Sequence, residues 1–241
     1  MQFFKSLKPL ALLCTLLTLL SLAACGKGEK TTPAATDVPP EVVTEAAFSA
    51  EAVEGDFAYV TNGSISMLTA YRGEDAAVSV PETLGGCPIT IIGEDAFKAN
   101  AALTTVDLPN GVTEIGDFAF WGCTALSAVT LPESLVTIGD AAFMNCFSLA
   151  KIRLPAALER IGVSAFSTTA LSSVIIPEKV DVLAAEVFGD CPALVSVVLP
   201  ATVTEIDEDA FYGSKKVTIT CAAGSAAETF AKENGVPYSA F

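Results

Sequence analysis

Chemistry in this chain would have to come from cysteine and acidic side chains. Of the 241 residues, seven are cysteine, 28 are Asp or Glu, 13 are Lys or Arg, and none is histidine. The lack of histidine excludes Ser-His-Asp and Cys-His catalysis and every metal site that depends on imidazole. The formal net charge of −15 argues against a nucleic-acid partner, because phosphate binding needs clustered Lys and Arg.

Three of the cysteines, Cys123, Cys146 and Cys191, occupy one position of a 22–23-residue repeat that Asn100 and Ser214 fill in other units. Stacked repeats spread such side chains along an axis, whereas a metal site needs ligands that converge on one point. Parallel neighbouring strands also keep Cβ atoms about 4.8 Å apart, farther than a disulfide usually allows. We therefore expect buried free thiols, and no metal or other cofactor.

The acidic residues are numerous but scattered. Four of them recur shortly before a repeated phenylalanine, and we expect them to cap helical turns: Asp95, Asp117, Asp140 and Asp209. The chain has neither the D-x-D-x-D-G pattern of a calcium loop nor a G-x-S-x-G nucleophile motif, so we predict that it is not an enzyme. Two carboxylates within about 5–10 Å in a cleft would contradict this prediction, since a glycosidase needs only such a pair.

The first 24 residues have the pattern of a secretory signal peptide. Two lysines precede an uncharged run at 10–24, which is shorter than the ~20 apolar residues needed to span a bilayer. The run ends in Leu-Ala-Ala-Cys at 22–25, which resembles the lipobox of bacterial lipoproteins. That resemblance implies cleavage before Cys25, a thioether-linked lipid on its sulfur, and acylation of the new amino group. We therefore expect attachment to the membrane through lipid on Cys25.

The next segment, residues 25–55, is rich in Gly, Pro, Thr, Ala and Glu and has little apolar surface to bury. This composition is typical of a flexible tether. We expect it to hold the folded domain away from the membrane, since an acidic domain is repelled by anionic lipid headgroups.

From residue 82 onward the chain repeats itself. An Ala-Phe or Val-Phe pair recurs in steps of 22 or 23 residues, ending at Phe97, Phe120, Phe143, Phe166, Phe188 and Phe211. A unit reads L-x-x-V-x-L-P-x-x-(V/L)-x-x-I-G-x-x-A-F-x-x-C-x-x, in which V-x-L predicts a half-buried strand that the proline ends. A second extended piece runs to the isoleucine, glycine turns the chain, and Ala-Phe begins a helical turn. The single step of 22 arises because one residue is missing between Phe166 and Leu171.

The repeat resembles the BspA-like leucine-rich repeats of bacterial surface proteins over about residues 57–238, through its I-G-x-x-A-F-x-x-C and V-x-L-P motifs. The resemblance implies a repeat solenoid of the leucine-rich-repeat type, an α/β fold of short strands and helical turns in six units over 82–220. It also implies a surface-exposed or secreted interaction protein, as some members bind host matrix proteins. Units five and six depart from the pattern, with Leu183-Ala184 and Ile206-Asp207 in place of Ile-Gly.

Both ends of a solenoid must be closed, because an exposed strand edge promotes aggregation. At 56–81, Asn62-Gly63 between two apolar alternations predicts a hairpin cap with a two-residue turn. At 221–241, a capping box from Ser225 to Glu228 predicts a short helix that Asn234-Gly235 ends.

Large apolar residues at positions that the repeat leaves free are the candidate interaction residues: Trp121, Met144, Phe147 and Tyr212. Trp121 and Met144 each follow a repeated phenylalanine and are expected on adjacent turns of the stack. They could anchor a partner, since Trp is a favoured hot-spot residue, or they could simply pack against a neighbouring loop. The outward residues of the repeat strands, with one basic spot at Lys151 and Arg153, form a second candidate surface.

These observations predict a lipid-anchored, extracytoplasmic protein of the bacterial cell surface that binds a protein ligand, either a host matrix protein or another surface protein. Two alternatives stay open. One is a carbohydrate-binding lipoprotein in which Trp121 and Tyr212 stack on sugars. The other is a structural component of the envelope without catalytic activity.

Overall fold

The computed structural model describes residues 47–241, which form about eight stacked turns. We call each turn of the stack a rung. The strands come first in the element list, and the one α-helix of the described residues, α1, spans Ala226–Glu233. The strands are β1 (Ala52–Glu54), β2 (Phe57–Thr61), β3 (Ser66–Tyr71), β4 (Ala77–Ser79), β5 (Thr83–Leu84), β6 (Cys87–Ile92), β7 (Thr105–Asp107), β8 (Glu114–Ile115), β9 (Ala128–Thr130), β10 (Thr137–Ile138), β11 (Arg160–Ile161), β12 (Ser173–Ile175), β13 (Val182–Leu183), β14 (Ser196–Val198), β15 (Glu205–Ile206), β16 (Thr218–Cys221) and β17 (Tyr238–Ala240).

Each repeat contributes a three-residue strand from its V-x-L segment and a two-residue strand that ends at its isoleucine. The short strands pair in parallel in the order β6-β8-β10-β11, so that Ile92, Ile115, Ile138 and Ile161 are aligned. The longer strands form two parallel rows, β4-β7-β9 and β12-β14-β16-β17, and β13-β15 form a further pair. The predicted fold class, a leucine-rich-repeat solenoid of short strands, is confirmed.

The repeated phenylalanines form a single file of rings inside the stack. Successive rings from Phe97 to Phe211 lie 4.9–5.9 Å apart between centroids, with planes within 14° of parallel. Tyr71 covers the first ring at 5.4 Å and Phe230 of α1 covers the last at 6.0 Å. Each ring is buried, and stacked aromatic pairs add about 0.5–1.5 kcal/mol each beyond the burial of their apolar area.

The segment around each phenylalanine is not the helical turn that the sequence predicts. Its N–H groups donate to the next rung instead of to the fourth residue back, as from Phe97 to the Ala119 carbonyl at 2.7 Å and from Ala99 to that of Trp121 at 2.6 Å. This pairing requires left-handed backbone two residues before the phenylalanine in the first five units. It also requires it two residues after in all six. The result is a series of tight turns, with little helix in the fold.

The aspartates in these turns also act between rungs. Asp117 Oδ1 accepts from the Asp140 N–H at 2.7 Å, and Asp140 Oδ1 accepts from the Val163 N–H at 2.9 Å. The prediction that they cap helical turns is wrong, because no helix follows them. They satisfy N–H groups of the next rung instead.

The first described elements form an antiparallel β1-β2-β3 meander, and β3 pairs in parallel with β6. Strand β1 falls within the range 25–55 that composition predicts as tether. The β2-β3 loop runs over 62–65, so it is longer than the predicted two-residue turn, and Asn62 Oδ1 accepts from the N–H groups of Ser64 and Ile65.

At the other end, Ser225 Oγ accepts from the Glu228 N–H at 3.3 Å, which confirms Ser225 as the N-cap of α1. The Glu228 carboxylate accepts from the Gly224 N–H, one residue before the position that a capping box would give. After the helix, β17 pairs in parallel with β16 and completes the last row.

We expect Phe143→Ala to lower the free energy of unfolding by about 3–5 kcal/mol, because it removes a fully buried ring from the middle of the file and leaves a cavity. Urea unfolding of residues 26–241 measures this change. Phe147→Ala, four residues away on an exposed ring, is the control and should change stability by less than about 0.5 kcal/mol. Equal losses in the two variants would contradict the role of the file.

The left-handed turn positions allow a second test of the fold. Ala99 (φ 56°) and Gly122 (φ 71°) hold equivalent positions on adjacent rungs, and a Cβ on Gly122 would meet nothing closer than 3.7 Å. We therefore expect Ala99→Gly to stabilise the fold, and Gly122→Ala to destabilise it, by about 0.5–1 kcal/mol each. Shifts of the urea midpoint in opposite directions would confirm the prediction, whereas shifts in the same direction would refute it.

Candidate interaction surfaces

The positions directly after each repeated phenylalanine form a line along the stack that we call the turn row: Lys98, Trp121, Met144, Ser167, Gly189 and Tyr212. Trp121 and Met144 lie on adjacent rungs, which a hydrogen bond from the Gly122 N–H to the Met144 carbonyl joins at 2.9 Å. Both side chains are half-buried. Phe147, three residues after Met144, is 58% exposed.

Lys98 partly determines how much of Trp121 is available. Its Nζ lies 5.7 Å from the centroid of the Trp121 ring and 5.2 Å from that of Phe118, and it forms an ion pair of 2.8 Å with Asp95. The repeat does not specify a lysine at this position, so sequence periodicity alone could not reveal this cation–π contact. The contact places a positive charge at one border of the Trp121, Met144 and Phe147 group, which we call the Trp121 patch.

Tyr212 does not join this group. It is 61% exposed but lies three rungs beyond Met144 in the turn row. The intervening positions are Ser167 and Gly189, which are small and buried. The candidate residues therefore form one cluster of three and one separate aromatic side chain.

The cysteine column is part of the core. Cys123, Cys146 and Cys191 are buried and unpaired, as predicted. Their thiols donate to phenylalanine carbonyls of the preceding rung, as from Cys123 Sγ to Phe97 O at 3.0 Å, and the hydroxyl of Ser214 makes the same bond to Phe188 O at 2.7 Å.

Burial raises the pKa of the Cys123 thiol to about 11 and raises that of Cys146 further. Neither is a nucleophile at neutral pH, because the thiolate is the reactive form. Within residues 47–241 no three His, Cys, Asp or Glu side chains are grouped so as to hold a metal ion.

The largest groove of the described residues has a volume of about 840 Å³ and lies beside α1. Its acidic side chains, at Glu205, Asp207, Glu208 and Glu233, are all exposed to solvent. A general acid of the glycosidase type is a carboxyl group whose pKa is raised by burial. These carboxyl groups lack that burial.

The strand face, made of the outward residues of the V-x-L strands, is interrupted at the fourth unit. Residues 151–154 form no strand and, within the described part of the chain, no backbone–backbone hydrogen bond. Elsewhere on the face the rungs are joined, as by the Leu108 N–H to Thr130 O at 3.2 Å and the Ile176 N–H to Val198 O at 3.0 Å. The equivalent bonds from Leu131 and Leu154 are not formed.

Sequence reasoning did not find this interruption, although one signal lies beside it. The loop of the same unit, between Phe166 and Leu171, is the one that has lost a residue. The short strands are interrupted nearby, since β11 and β13 do not pair. A change of repeat length is thus the mark that could have directed attention to this part of the stack.

Cys25 and its predicted lipobox lie outside the described residues. In the described part, no helix has the length and apolar character that crossing a bilayer requires.

With this geometry established, a family model described as the BspA type leucine rich repeat region matches residues 90–218 in six copies. The match covers more than half of the chain, and the chain belongs to this family of leucine-rich repeat proteins. The resemblance inferred from the I-G-x-x-A-F-x-x-C motif is therefore confirmed. No curated protein matches the sequence.

Solved bacterial structures share the fold. A leucine-rich repeat protein of T. pallidum is 27% identical, with a TM-score of 0.62 over 78% of this chain and 98% of its own. A leucine-rich cell surface protein of Faecalibacterium prausnitzii is 28% identical, with a TM-score of 0.60 over 72% of this chain and 55% of its own. A leucine-rich repeat protein of Bacteroides ovatus is 29% identical, with a TM-score of 0.58 over 74% of this chain and 46% of its own. This chain thus spans about half the length of the latter two proteins.

Proposed function

We propose that this protein is a lipid-anchored, non-catalytic binding protein of the bacterial cell surface, and that its leucine-rich repeats bind other proteins. The observation that carries the proposal is the Trp121 patch, in which Trp121, Met144 and Phe147 lie close together on a rigid stack and stay partly exposed. Exposed apolar groups that include a tryptophan are frequent anchors at protein interfaces.

Several other features support this function. Members of repeat families use extended surfaces of stacked units for binding, and one similar structure is described as a cell surface protein. The lipobox-like sequence at 22–25 supports an anchor at Cys25, and multiple acyl chains make such anchoring stable. Many anchored copies would add weak contacts into strong attachment. The partner would be a host matrix protein or another surface protein.

Tyr212 favours a second candidate, carbohydrate binding. It is 61% exposed, as an aromatic platform for a sugar ring would need to be. Trp121 suits that role less well, because Lys98 Nζ lies over its ring. Without any specific ligand, the protein would be a structural component of the envelope.

The anchor is tested by Cys25→Ser in the full chain, expressed in a bacterium that processes lipoproteins. We expect the wild-type protein to incorporate labelled palmitate and to sediment with membranes. The variant should incorporate none and should be released or remain unprocessed, since it lacks the sulfur that takes the thioether. Cys14→Ser, within the signal run, is the matched control and should behave as wild type. Lipid labelling of the Cys25 variant would refute the assignment.

Binding is tested with residues 26–241 on immobilised matrix proteins, bacterial surface proteins and a glycan panel. We expect saturable binding to a protein, with Trp121→Ala raising the Kd by about tenfold or more, as hot-spot truncation does. Tyr212→Ala, away from the Trp121 patch, should leave protein binding unchanged, and thermal unfolding must show both variants folded. Glycan binding that depends on Tyr212 would favour the second candidate, and silence on every panel would favour a structural role.

A further inference from the structure

The interruption of the strand face leaves a set of polar backbone groups without partners. In a regular stack, each N–H and C=O of a V-x-L strand bonds to a neighbouring rung, as β7 does with β9. Residues 151–154 make no such bonds on either side. Unpaired strand groups of this kind are a template for pairing with another chain.

The same interruption uncovers apolar side chains. Val106, Val174 and Val197, at the inward position of their strands, are 0–2% exposed. Their equivalents Val129 and Ile152, on the two sides of the break, are only partly buried.

Two grooves border residues 151–154, one of about 560 Å³ toward β12 and one of about 420 Å³ toward β9. Ile152 and Arg153 line both of them. Ile175, at the edge of the larger groove, is 70% exposed. Apolar side chains of a partner therefore have two adjacent places to enter.

Charge indicates what kind of segment would lie there. Lys151 and Arg153 point outward on a chain whose net charge is −15. The outward residues of the flanking strands are uncharged, as at Thr130 and Ser173. Lys151 forms no ion pair within residues 47–241, and the pair of Arg153 with Glu133 is exposed on both sides, so it contributes little and can be exchanged.

We propose that this break, which we call the rung-four site, binds an extended acidic segment of the protein partner. Its carboxylates would pair with Lys151 and Arg153, its apolar side chains would enter the two grooves, and its backbone would bond to the free groups of 151–154, in the manner of β-strand addition. The proposal rests on the proposed function, since it places the chemistry of that partner at a particular site.

The test uses a fluorescent peptide of alternating Val and Glu, seven residues long, and its counterpart with Lys in place of Glu. Anisotropy titrations use residues 26–241, which include every core residue of the folded unit. We expect the Glu peptide to bind and the Lys peptide to fail. Lys151→Glu with Arg153→Glu should raise the Kd at least tenfold, and high salt should weaken binding, because screening reduces exposed charge pairs.

Lys215→Glu with Lys216→Glu is the matched control, since it makes the same change of net charge at exposed lysines far along the sequence. It should shift the Kd by no more than twofold. Hydrogen exchange should show the amides of 151–154 exchanging fast in the free protein and slowly with the Glu peptide bound. The proposal is overturned by no binding of the Glu peptide, by equal binding of both peptides, or by equal effects of the two double variants.

The panel experiment separates this proposal from the proposed function. A panel protein that still binds the Lys151/Arg153 double variant as tightly as wild type would overturn the rung-four site and leave the protein-binding function standing. Binding of the Glu peptide with no bound protein on any panel would support the site while counting against the listed partner classes.

Discussion

The fold depends on the pairing of phenylalanine turns from rung to rung. Each turn donates its N–H groups to carbonyls of the next rung and places one ring against the next, because a single unit has too little apolar surface to fold alone. This ladder continues where the strands do not. Between the third and fourth units the Phe143 N–H still bonds to Ala165 O at 2.8 Å, and the two rings lie 5.4 Å apart. The phenylalanine side therefore holds the stack together while the strand face opens.

Regular spacing explains why much of this architecture could be read from the sequence. A constant step of 23 residues aligns Ile115 with Ile138 and carries the cysteines into one buried column. The turns could not be predicted in the same way. Left-handed backbone usually requires glycine, and here glycine occurs at only some of the equivalent positions, such as Gly122, while Ala99 adopts the same conformation. The cost of that conformation is offset by bonds to another rung, which local sequence does not reveal.

The candidate surfaces differ in how far periodicity could define them. The neighbourhood of Trp121 and Met144 follows from the register alone, but the position of Lys98 over the indole ring depends on side-chain packing. The rung-four site departs from the repeat altogether, and its one mark in the sequence is a loop shorter by a single residue. Function in this molecule is associated with positions where the repeat is free or broken, since the regular positions are occupied by the core.

The bonds between rungs have a mechanical consequence. They run along the stack, and each rung is held only by its nearest neighbours. Tension applied to one end of such a chain loads one interface at a time, so the stack would peel rung by rung instead of breaking at once. Each released unit of 23 residues would lengthen the chain by roughly 80 Å when extended. A cell-surface protein built in this way would yield gradually under flow and could restack when the load is removed.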